Sequence, residues 1–119
     1  MNTWLNPLFI ICTSTGLIFI VVAIITAKYP PKKINHIYGY RTKNSMKSKD
    51  RWDFAQEYST DLMQKYGIVM VLLGFLGYFT SYSNMISTLI SLGIIVFLTI
   101  IIFYKTEKAI TERFVDKDV

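Results

Sequence analysis

Two long uncharged stretches constrain this chain more than any other feature in it. From Leu5 to Ala27 no side chain carries a formal charge, and a second uncharged run extends from Tyr66 to Tyr104. At 1.5 Å per residue the first stretch makes a helix of about 34 Å, slightly more than the bilayer hydrocarbon thickness of about 30 Å. The second is about twice as long as one crossing needs. It reads as two spans joined by a tight reversal at Thr80-Ser81-Tyr82-Ser83-Asn84, a polar cluster whose side chains can satisfy helix ends. The sequence therefore predicts an all-α membrane protein with three transmembrane helices, at about 5–27, 62–80 and 85–104, forming a single membrane domain over 1–119.

Composition agrees. Of 119 residues 52% are apolar, more than a small soluble domain can hide, so the excess faces lipid. A cleaved secretory leader needs a positive amino-terminal region, a shorter apolar stretch and a small-residue cleavage site; the first stretch has none of these and is expected to remain as a span. The lone cysteine, Cys12, excludes an internal disulfide and a cysteine metal cage.

The net charge of +5 could suggest nucleic acid, but the positions of the basic residues give another reading. None precedes the first span and none lies between the second and third. Lys28, Lys32, Lys33, Arg41, Lys43, Lys47, Lys49, Arg51 and Lys65 sit around the first connection, and Lys105, Lys108, Arg113 and Lys117 follow the last span. Positive residues stay on the cytoplasmic side, so the expected topology in the cell membrane is N-terminus outside and C-terminus cytoplasmic. The chain is then multi-pass, with a cytoplasmic loop and helix at 28–61, a cytoplasmic tail at 105–119, lipids as its surroundings and no direct nucleic acid partner.

The uncharged stretches hold no Asp, Glu, Lys, Arg or His, which disfavours a proton-coupled transporter or ion pump in a single copy. Their small and hydroxylated residues instead read as places where helices approach closely. These are Cys12 to Gly16, then Gly67, Gly74 and Gly77, and finally Ser87 and Ser91 at small-xxx-small spacing. Homo-oligomerisation is an expectation on the same ground.

Recognition chemistry is concentrated between the first two spans. Residues 28–49 are rich in Pro, Lys, Asn and Ser and read as a loop on the membrane face. Asp50 is a candidate N-cap, with Asp53 three residues on. From there Trp52, Ala55, Ser59, Leu62, Met63 and Tyr66 recur at helical spacing, with Asp53, Gln56, Glu57, Thr60, Asp61 and Gln64 on the other side. With no breaker before Gly67, this amphipathic helix should run directly into the second span.

Two readings of the carboxylates stay open. Asp53, Glu57 and Asp61 form either a solvated stripe, with Lys65 pairing to Asp61, or a wall against which Arg41 makes a bidentate contact with Asp53 or Glu57. Trp52 is either an interfacial anchor or, if it closes over the loop, a recognition residue. The loop lysines serve orientation and attraction to anionic lipid, about 1 kcal/mol each. His36 stands alone. No catalytic constellation, metal site or cofactor motif is present in the sequence, which leans away from an enzyme.

Asn35, the run Gly39-Tyr40-Arg41-Thr42, and the segment WDFAQEYS beginning at Trp52 resemble the SdpI/YfhL family of small bacterial integral membrane proteins. The resemblance implies inner-membrane proteins whose named member, longer and with more spans, confers immunity to a secreted killing-factor toxin and holds a soluble repressor at the membrane. Expected partners are thus a peptide toxin or a soluble regulator. Four positions after the tryptophan the family often has His, whereas this chain has Gln56, which can hydrogen-bond but cannot titrate. The ligand-binding set implied is Asn35, Gly39, Tyr40, Arg41, Thr42, Trp52, Asp53, Gln56 and Glu57. Gly39 would permit a tight turn and Arg41 would offer its planar fork to a carboxylate or phosphate. The alternatives are a small membrane enzyme or carrier for an anionic lipid-like substrate, and an oligomeric scaffold.

Overall fold

The computed structural model describes residues 5–114. Among them are three helices and no strand: α1 (Pro7–Lys28), α2 (Lys49–Gly77) and α3 (Asn84–Arg113). Helices α1 and α3 are long and apolar enough to cross a membrane. The apolar part of α2 is shorter, because its first turns carry the charged residues of the loop side.

Each boundary has a local cause. Pro7 opens α1 behind an Asn6 cap, where its missing N–H costs nothing, and the helix ends at Lys28, just before Pro30-Pro31. Helix α2 begins two residues earlier than expected. Its N-cap is Ser48, in extended conformation with its hydroxyl accepting from Arg51 N–H, and not Asp50. Asp50 lies in the first turn, where its charge suits the helix dipole. From Ser48 the helix runs unbroken through Gly67, as the absence of a breaker predicts. Ser83 caps α3 after the Thr80–Ser83 reversal, and α3 continues past Lys105 to Arg113. The first part of the predicted tail is therefore helix; Val115–Val119 lie outside the described residues.

Helices α1 and α2 touch at their glycines. A Cβ on Gly16 would lie 2.6 Å from the Gly67 carbonyl oxygen, and one on Gly67 2.9 Å from that of Gly16, so the two backbones are in direct contact. Ser87 and Ser91 of α3 are fully buried, with Ser91 in hydrogen-bonding contact with Cys12 of α1. Gly16, Gly67, Ser87 and Ser91 are thus used inside the chain, whereas Ser14 and Gly93 are exposed.

At the end where α1 starts, Asn6 joins two helix termini. Its Oδ1 accepts from Leu8 N–H at 2.9 Å while its Nδ2 donates to the Gly77 carbonyl at 2.9 Å and to Thr80. One side chain thereby satisfies an orphan donor of α1 and an orphan acceptor of α2. At the opposite end a small core of Ala55, Ile110 and Phe114, with Tyr40 and Phe54 packed on it, ties the loop to α2 and α3.

Candidate functional site

The segment between α1 and α2 has no regular secondary structure beyond turns, yet side chains pin it in place. Asn35 builds the first turn: its Oδ1 accepts from the N–H groups of Ile37 and Tyr38, at 2.9 and 2.7 Å, and its Nδ2 donates to the Lys33 carbonyl. Such Asx geometry lets a short polar side chain stand in for a missing backbone partner. Tyr38 then donates its hydroxyl to the Tyr29 carbonyl at 2.7 Å, tying the loop back to the end of α1.

Gly39 has φ of 101°, the left-handed region that L side chains avoid. Space is lacking as well: a Cβ there would lie 2.5 Å from Gln56 Oε1 and 2.7 Å from Pro31 Cγ. The close approach lets Gln56 grip the next residue. Its Oε1 accepts from Tyr40 N–H and its Nε2 donates to the Tyr40 carbonyl, both at 2.7 Å. Sequence periodicity places Gln56 on the polar side of α2; the structure corrects this, because Gln56 is buried, its amide fully occupied by the Tyr40 peptide. Trp52, one turn earlier, is also buried and donates Nε1–H to the Pro31 carbonyl at 2.6 Å. Of its two readings the structure selects the one in which it closes over the loop.

The side chains of Tyr40 and Thr42 reach α3. Both hydroxyls donate to Oε2 of Glu107, at 2.7 and 2.8 Å, and the Tyr40 ring packs against Phe103 with centroids 5.2 Å apart. Burial, together with the neighbouring Glu107 carboxylate, pushes the Tyr40 hydroxyl far above its usual range, so it stays a proton donor. Thr42 also exchanges backbone and side-chain hydrogen bonds with the buried Ser45, closing the next turn.

Arg41 behaves differently. Between these two anchored neighbours its side chain is exposed, and its guanidinium donates to the His36 carbonyl. The expected contact with Asp53 or Glu57 does not form. Asp53 is exposed and pairs with Lys49 one turn away, Glu57 is exposed, and Asp61 pairs with Lys65 at 2.9 Å. These carboxylates are the solvated stripe. They form one side of an open groove of about 910 Å³, whose other walls include Thr26, Pro31, Lys32 and Arg113, with Gln56 at its base.

Two residues important to this arrangement escape a reading of the sequence alone. Arg51, counted there only as a positive charge, is buried. Its guanidinium lies 5.3 Å from the Phe114 ring centroid and donates to Asn44 Oδ1 and to the Phe114 carbonyl. The available signal is its spacing of four from Ala55, which puts it on the buried face. Glu107 falls in the predicted tail, and nothing local marks it as the partner of Tyr40 and Thr42, 67 and 65 residues away.

The chain is similar in sequence to known proteins. YfhL of Bacillus subtilis (strain 168), described as an uncharacterized protein, is 41% identical over 61 residues, 51% of this chain. The chain spans about half the length of that relative, the aligned part being 56% of it. No solved structure matches the chain. The model of the SdpI/YfhL protein family matches residues 32–105, which take in the pinned loop, all of α2 and most of α3. With two helices apolar enough to cross a bilayer, this is a membrane protein, and it belongs to the SdpI/YfhL family.

Proposed function

We propose that this is a non-enzymatic, three-span protein of the cell membrane that presents a rigid cytoplasmic loop to a ligand, in toxin immunity or membrane-linked regulation. The observation that carries the reading is the contrast within Gly39–Thr42. Gly39, Tyr40 and Thr42 are spent on holding the loop, while Arg41, with five donors in a planar fork, is left facing outward. A preorganised loop loses little entropy on binding, and its exposed guanidinium suits a carboxylate or phosphate. The family pattern of Asn, Gly-x-Arg-Thr and Trp supports the same reading, since it spans both the holding residues and the exposed one.

In this proposal α2 crosses alongside α1. Its apolar segment is short for a bilayer, but Gly16 and Gly67 bring the two helices into direct contact. The one-sided distribution of Lys and Arg puts the loop and the C-terminus in the cytoplasm. A reporter fused to the C-terminus should be inaccessible from outside intact cells.

The experiment compares cells carrying no protein, the wild type and Arg41→Ala under challenge with a secreted peptide toxin. Wild type should protect, and Arg41→Ala should lose about tenfold or more of the protection, as expected for removal of a charge-assisted hydrogen bond. Equal sensitivity of all three removes the immunity reading. The enzyme or carrier alternative gave the proton to Asp53 or Glu57, and both of these are exposed. A homo-oligomer would use surfaces other than Ser87 and Ser91, which pack within the chain.

A further inference from the structure

A second recess lies on the far side of the loop, where α3 leaves its apolar stretch. Its volume is about 770 Å³, and its character changes along the helix. The lower part is formed by Ile100, Phe103 and Tyr104, and the upper part by Asn44, Glu107 and Lys108, with Glu112 at the rim. Lys105 donates to the Tyr66 hydroxyl at 2.7 Å, marking the level at which α2 and α3 first carry polar side chains together. Below this level the recess is aliphatic and aromatic apart from Thr99; above it the charges alternate as Glu107, Lys108 and Glu112.

We propose that this recess binds one glycerophospholipid with a zwitterionic, primary-ammonium headgroup, its acyl chain on Ile100 and Phe103, its phosphate at Lys108 and its ammonium between Glu107 and Glu112. Depth fits. From Glu107 to Glu112 the helix rises about 7.5 Å, comparable to the headgroup layer of about 5–8 Å on each side of a bilayer. Charge fits as well. An anionic headgroup would meet two carboxylates and one ammonium, whereas a zwitterion finds an opposite charge for each of its own.

Glu107 adds selectivity for N–H donors. Its Oε2 already accepts from Tyr40 and Thr42, which fixes the carboxylate in position and leaves Oε1 without a hydrogen bond among the described residues. A primary ammonium can donate to that oxygen and a trimethylated one cannot. The lipid would thereby contact the same carboxylate that holds the Arg41 loop.

The inference rests on α3 crossing the bilayer as proposed above. Native mass spectrometry of the full-length protein in detergent, with phosphatidylethanolamine, phosphatidylcholine or phosphatidylglycerol added, tests it. Wild type should retain phosphatidylethanolamine at least about fivefold better than the other two, the effect of about 1 kcal/mol. The surface double variant Lys108→Gln/Glu112→Gln should bind all three alike while keeping its helical circular dichroism. Equal retention of all three lipids by wild type, a preference for phosphatidylglycerol, or an unchanged preference in the variant overturns the site. Retention of no lipid at all would instead count against α3 as a span.

Discussion

The side-chain amide of Gln56 pairs with the peptide of Tyr40 in both directions, one bond accepted and one donated at 2.7 Å each. A pair of adjacent strands makes the same exchange, but here a single helical side chain does it across a buried contact. Loop position is therefore coupled to α2 without any sheet.

Gln56→Ala leaves the Tyr40 N–H and carbonyl without their partner, at about 1–3 kcal/mol for each unsatisfied group. Thermal unfolding in detergent should show a clear drop in midpoint. Gln56→Glu keeps the acceptor but turns an oxygen toward the Tyr40 carbonyl, so it should also destabilise. A wild-type midpoint in both variants would mean that the paired amide contributes nothing.

Replacing Gly39 by Ala meets two obstacles, an unfavourable φ of 101° and a Cβ 2.5 Å from Gln56 Oε1. The backbone part alone costs about 1–3 kcal/mol. Limited proteolysis should cut Gly39→Ala within residues 32–47 faster than wild type while the apolar helices stay protected.

Tyr40 gives a pH prediction. Burial and the Glu107 carboxylate raise its hydroxyl well above the ordinary tyrosine value of about 10. The unfolded chain releases this proton first as pH rises, so the stabilisation is complete below about pH 10 and is lost as pH climbs toward the folded-state value. In an absorbance titration at alkaline pH, Tyr40→Phe and wild type should give the same tyrosinate signal at pH 10, since Tyr40 does not ionise there. A signal reduced by one tyrosine out of eight would contradict the assigned environment.

Gly67→Leu should separate α1 from α2. Even a Cβ at this position lies 2.9 Å from the Gly16 carbonyl oxygen, and overpacking of this kind costs about 1–3 kcal/mol or more. A cysteine pair placed across the two helices should crosslink less efficiently in this variant.

The helices were legible because charge is distributed so unevenly along the chain. Lipid-facing segments exclude charged groups, and the Thr80–Asn84 cluster marks the reversal within three residues of the end of α2 and one of the start of α3. The small residues of α1 and α2 were legible for a related reason, since little else explains glycine in a span. What periodicity could not give was partnership. Gln56 scores as polar whether it faces water or the Tyr40 peptide, and Arg51 scores as a charge whether it is solvated or stacked on Phe114. Glu107 and Asn6 depend on contacts more than sixty residues away in the chain, where local pattern carries no information.

The Asn6 bridge gives the chain an order of assembly. The amide that starts α1 finds its acceptor at Gly77, 71 residues downstream. A nascent chain that stops short of Gly77 already has its first helix capped by Asn6 Oδ1, while the amide nitrogen waits for the carbonyl that ends the second helix. In a protein made from one end to the other, the earliest helix thus carries the donor that closes the end of the next.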